Sequence, residues 1–107
     1  MQFQFNSDNK VNGSQNLAAR IEQDVRTSLA HFEARLTRIE VHISDVDGRK
    51  RGPADKRCML EARPHGLGPV AVSHEADSVD QAVLGAASKL TGALERVLGR
   101  LTDRKGH

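Results

Sequence analysis

The chain has 107 residues, enough for one hydrophobic core and too few for two. Apolar residues make up 37% and charged residues 28%, the balance of a folded chain rather than a disordered one. The formal net charge of +2 hides its distribution: residues 1–48 hold 5 basic and 7 acidic side chains, residues 49–57 hold 5 and 1, and residues 58–107 hold 6 and 6. The excess positive charge is therefore concentrated in one short stretch. No apolar run is long enough to span a bilayer. Met1-Gln2-Phe3-Gln4-Phe5 lacks the basic and apolar regions of a signal peptide. The single cysteine, Cys58, has no internal disulfide partner, which fits a cytoplasmic protein. Three Phe with no Trp or Tyr argue against a nucleic-acid reader that stacks bases on an aromatic row.

Gln2 and Gln4 alternate with Phe3 and Phe5, so residues 2–6 predict a half-buried strand. Asn6 to Ser14 has loop composition, and Ser14 is positioned to cap the helix that follows. Leu17, Ile21, Val25, Leu29 and Phe32 form one stripe and predict a helix from about Gln15 to Phe32. Ile39, Val41 and Ile43 alternate with Glu40, His42 and Ser44 in a second strand, which ends at the turn Asp45-Val46-Asp47-Gly48. A basic loop occupies 49–56, where Gly52 and Pro53 rule out a strand interior. Cys58, Leu60 and Ala62 face one side of a third strand. The segment 64–69 is a hairpin connection, and Val70 and Val72 mark a fourth strand. Asp77 is the expected cap of a long helix, with Asp80 in its first turn. The expected core stripe of that helix is Val79, Val83, Ala86, Leu90, Leu94, Val97 and Leu101, ending near Thr102. The order β-α-β-β-β-α, with one apolar face per strand, predicts an α+β two-layer domain over 1–107. Its four-stranded sheet carries both helices on one face.

On a helical wheel with Val79 at zero, Lys89, Arg96 and Arg100 fall at about 280°, 260° and 300°, while Asp77, Asp80 and Glu95 fall at about 160°, 100° and 160°. A line of cations on one flank can follow RNA phosphates, because the attraction is non-directional and counterion release drives binding. Arg49, Lys50, Arg51, Lys56 and Arg57 make a second cationic group, and arginine forks suit phosphate oxygens. Gly85, Gly92 and Gly99 recur every seven residues beside the basic stripe, on the wheel's solvent side. Their replacement by Ala is expected to stabilise the helix.

Enzyme and metal chemistry find no support. Asp45-x-Asp47-Gly48 opens like a calcium loop, but Arg49 and Lys56 stand where oxygen ligands are required. The five histidines and Cys58 share no ligand spacing. Cys58 lies on the core side of its strand as a small hydrophobe, and His42 lies on the outer sheet face. No cofactor is expected.

Asp45-Val46-Asp47-Gly48, Asp55-Lys56-Arg57-Cys58-x-x-Glu61-Ala62-Arg63, Pro69-Val70-x-Val72-Ser73, Gln81-Ala82-Val83 and Ala86-Ala87-Ser88-Lys89-Leu90 together resemble the hibernation-promoting factor / ribosome-associated inhibitor family. The resemblance covers nearly the whole chain. It implies a fold similar to a double-stranded-RNA-binding domain with an added N-terminal strand. It also implies binding to 16S rRNA of the 30S or 70S ribosome, in the mRNA–tRNA channel, which silences translation in starvation or stationary phase. Ser28 and His31 stand where the family carries basic residues on the first helix, and Gly92 stands between Lys89 and Arg96 where relatives often carry another. These departures point to a weaker or displaced RNA surface. The chain resembles a short form, without the C-terminal dimerisation domain of long members. The competing expectation is a paralogous protein-interaction or self-association module on the same fold.

Overall fold

The computed structural model describes residues 1–7, 15–45 and 56–106, with side chains except at Gln15 and beyond residue 99. The Ser14 cap, the 46–55 turn and loop, and the side chains of Arg100 and Leu101 lie outside these described residues. The elements are β1 (Gln2–Ser7), α1 (Gln15–Ser28), a 3₁₀ segment (Ala30–Arg35), β2 (Leu36–Asp45), β3 (Lys56–Pro64), β4 (Val70–Ala76) and α2 (Val79–Gly106). They form the four-stranded α+β arrangement expected from the alternation. The strands lie side by side in the order β1-β2-β3-β4, with β1 parallel to β2 and both other pairs antiparallel. A parallel neighbour requires a crossover, which α1 and the 3₁₀ segment provide.

The first helix is shorter than its apolar stripe. Its last α-type bond is Leu29 N–H to Val25 O at 2.9 Å, and the next, Phe32 N–H to Leu29 O at 2.8 Å, already spans three residues. The tightening to a 3₁₀ turn keeps both Leu29 and Phe32 in the core. At the start of β2 the register shifts between Leu36 and Arg38, and the Thr37 hydroxyl donates to the Arg63 carbonyl at 2.9 Å. Leu36 is thereby buried opposite Pro64, which extends β2 back beyond the expected 39–44. Gly66 turns the β3–β4 connection with φ of +73°, a conformation open to glycine.

The cap of α2 is Ser78 rather than Asp77: its Oγ accepts from Gln81 N–H at 3.2 Å. The helix also buries a wider arc than expected. Ala82, Ala87 and Leu98 join Val83, Ala86, Leu90 and Leu94 in the core, while Val79 and Val97 are only partly buried against it. The extra breadth arises because α2 packs on the sheet and on α1 at once. The inner sheet face contributes Ile39, Val41, Ile43, Cys58, Leu60 and Ala62, all buried. Among the described residues no polar or charged residue is buried, so the core is held by apolar contact.

Candidate nucleic-acid interface

The two flanks of α2 meet different neighbours. Its acidic flank faces α1 and the 3₁₀ segment. Asp80 accepts from Arg20 Nη2 of α1 at 2.9 Å. About one turn from the end of the described side chains, Glu95 lines a groove with His31, Phe32, Arg35, Leu98 and Gly99. The cationic flank instead lies toward β4, the edge strand. There the Lys89 ammonium donates to the Ser73 carbonyl oxygen at 2.9 Å. Arg96 follows two turns on, exposed, its Nη1 3.8 Å from where a Cβ on Gly92 would sit. The wheel's separation of Asp80 from Lys89 is thus seen in the packing: Asp80 has a basic partner across the helix–helix seam, and Lys89 turns to β4.

Gly85 departs from its expected place on the solvent side. A Cβ there would lie 2.1 Å from Cδ2 of His74, whose ring points from β4 onto the helix. The glycine permits close docking of α2 on β4. Gly92 and Gly99 have the open surroundings the wheel implied.

Lys56 and Arg57 belong to the start of β3 rather than to the loop. Lys56 Nζ is 3.6 Å from Asp45 Oδ1 across the β2–β3 ladder, and Arg57 Nε is 3.7 Å from Glu75 Oε2 across β3–β4. Each is partly offset by a carboxylate. Arg49, Lys50 and Arg51 fall outside the described residues, as does the Arg100 side chain. Lys56 pairs with Ala76, three residues before α2 begins, so this cationic group marks the end where α2 starts. Arg96, 17 positions along the helix from Val79, lies about 26 Å away along the axis. Lys89 stands between. Among the described residues, Lys56, Lys89 and Arg96 are therefore spread along the helix side of the sheet rather than gathered in one pocket, whereas Arg57, which alternates with core-facing Cys58, lies on the opposite sheet face.

The first helix adds little free charge. Arg26 is held by Glu22 at 2.8 Å and Glu33 at 3.4 Å, and its guanidinium lies 5.9 Å from the Phe3 ring centroid. The pattern of Ser28 and His31 is therefore reinforced by pairing. The sequence singled out neither His31 nor Arg35 as a pair. Only the 3₁₀ segment brings them to one groove opposite Glu95.

On the outer sheet face Glu40 takes contacts from Arg38 and, at 3.2 Å, from His42. Cys58 is fully buried, and desolvation pushes its thiol up from 9.0 to about 12, so it stays protonated at neutral pH. Among the described residues no three His, Cys, Asp or Glu side chains gather as a metal site, and no helix is long and apolar enough to cross a membrane.

Fold and charge together define a small α+β protein with exposed cations on the last helix, one of them turned onto the edge strand. The profile of the family described as sigma 54 modulation protein / S30EA ribosomal protein matches residues 6–102. Two solved structures share the fold. The Protein Y N-terminal domain of Thermus thermophilus has 16% identity and a TM-score of 0.70, over 91% of this chain and 99% of that one. A ribosomal subunit interface protein from Coxiella burnetii has 16% identity and a TM-score of 0.71, over 92% of this chain and 99% of that one. No curated protein sequence matches. The chain belongs to the sigma 54 modulation protein / S30EA ribosomal protein family, the family that its sequence motifs resemble.

Proposed function

We propose that this chain is a ribosome-associated translation inhibitor. In this reading it occupies the mRNA–tRNA channel of the small subunit by contact with 16S rRNA in starvation or stationary phase, without catalysis. Membership of the S30EA family supports ribosome association, as does a fold shared with a protein named for the ribosomal subunit interface. The observation that carries the RNA reading is the segregation of charge on α2. Asp80 is engaged by Arg20, while Lys89 and Arg96 are exposed on the opposite flank. Phosphate attraction needs cations within reach of one backbone path and no aromatic platform, which suits a chain without Trp or Tyr.

Lys89, Arg96 and Arg100, with Arg49, Lys50, Arg51, Lys56 and Arg57, are the proposed phosphate contacts. They position the protein and read no bases. Sedimentation of stationary-phase lysate tests the function. The protein should travel with 30S and 70S particles at low salt. Its absence from both fractions would contradict the reading and favour the protein-interaction module, for which the neutralised arginines of α1 are the supporting observation. A variant with Arg49, Lys50 and Arg51 changed to Glu should lose co-sedimentation. If it still travels with the ribosome, the loop assignment fails while the function stands.

A further inference from the structure

We propose that Lys89 holds the open edge of β4 shut against β4 of a second copy of this chain. Among the described residues the strand is the last in the sheet order and has a sheet partner, β3, on one side only. Its sequence, Val-Ala-Val-Ser-His-Glu-Ala, is seven residues long, contains no proline and carries one ionised side chain, Glu75, which pairs with Arg57. Such a strand is a template for another strand unless something blunts it, and natural sheets often use a lysine for that purpose.

The block comes from the helix. Close docking at Gly85 against His74 brings the cationic flank of α2 down beside the strand. One turn further on, Lys89 Nζ reaches the Ser73 carbonyl at 2.9 Å. Ser73 is the central residue of β4.

The position explains why a second copy is the occupant being excluded. Antiparallel pairing of two β4 strands about a two-fold axis at Ser73 sets Val70 opposite Ala76, Ala71 opposite Glu75 and Val72 opposite His74. No like charges meet within the strands. The charges brought together are the two Lys89 ammonium groups, both directed at the axis, and their repulsion together with the occupied carbonyl opposes pairing. The inference does not depend on RNA binding, because it concerns the isolated protein.

Analytical ultracentrifugation of the purified chain tests it. The unmodified protein should sediment as a monomer. K89M keeps the aliphatic stem and removes the charge and the donor, so it should sediment with the mass of a dimer, with added hydrogen-exchange protection across β4. K89R should remain monomeric. K89M combined with S73K restores like charges at the axis and should return to monomer. A K89M protein with unchanged circular dichroism that stays monomeric would overturn the proposal. So would a K89M dimer that S73K does not dissolve, or an unmodified protein already paired through β4. Because Lys89 is exposed, K89M is expected to fold; if it does not, K89Q is read by the same criteria.

Discussion

Single atoms decide the local behaviour of this molecule. At Gly85 the relevant atom is a missing Cβ. Three of the His74 ring atoms lie within 2.5 Å of its ideal position, so Ala cannot enter unless the ring moves. Overpacking of this kind costs about 1–3 kcal/mol, which exceeds the ~0.5–1 kcal/mol that Ala gains over Gly in a helix. Thermal denaturation should therefore show Gly85→Ala lowering Tm, whereas Gly92→Ala and Gly99→Ala should each raise it. At Cys58 the relevant atom is a buried sulfur. Its thiol is held near 12 in the folded chain against 9.0 ordinarily. Stability from the protonated, buried thiol is fully present below pH 9.0 and is lost as pH rises toward 12. Alkylation by a thiol reagent at neutral pH should accordingly be slow in the folded protein and become rapid on unfolding.

Elements follow from short-range patterns where those patterns are strong. Ser78 closes the N-terminus of α2 through the Gln81 amide, and Ser78→Ala should cost about 1 kcal/mol in chemical denaturation. An equal loss from Asp77→Ala would contradict this assignment. The four strands were legible in the alternation of Phe3 and Phe5, of Ile39, Val41 and Ile43, of Cys58, Leu60 and Ala62, and of Val70 and Val72, since a half-buried strand exposes every second residue. The long period of α2 was equally plain. What the residues could not show were consequences of neighbours. Leu36 joins β2 because Pro64 lies opposite, and Leu98 is buried because α2 touches more than the sheet. The wheel placed Gly85 on the solvent side because it holds no information about β4. The cations of the candidate interface were legible by type and spacing, but the carboxylate partners of Lys56 and Arg57 depend on strand register. The 3₁₀ segment was not legible, because the same mixture of four- and three-residue spacings runs through α2, which stays α-helical.

At the scale of the whole molecule, a net charge of +2 is arranged by packing. One side of α2 pairs Asp80 with Arg20 of α1, and the other side turns Lys89 onto an edge strand. RNA binding through such a surface must respond to salt, since each neutralised phosphate releases condensed counterion. Replacing Arg96 by Gln should weaken binding to ribosomal RNA and reduce the salt slope by about 0.7–0.9. A structural role alone would leave that slope unchanged. The most direct test of the central claim is the affinity of the purified chain for purified small ribosomal subunits, measured by co-sedimentation across a salt series. The account predicts binding at low salt and a linear, steep fall of log affinity with log salt, made shallower by each loss of Lys89 or Arg96. Absence of binding at low salt, or binding indifferent to salt, would contradict it.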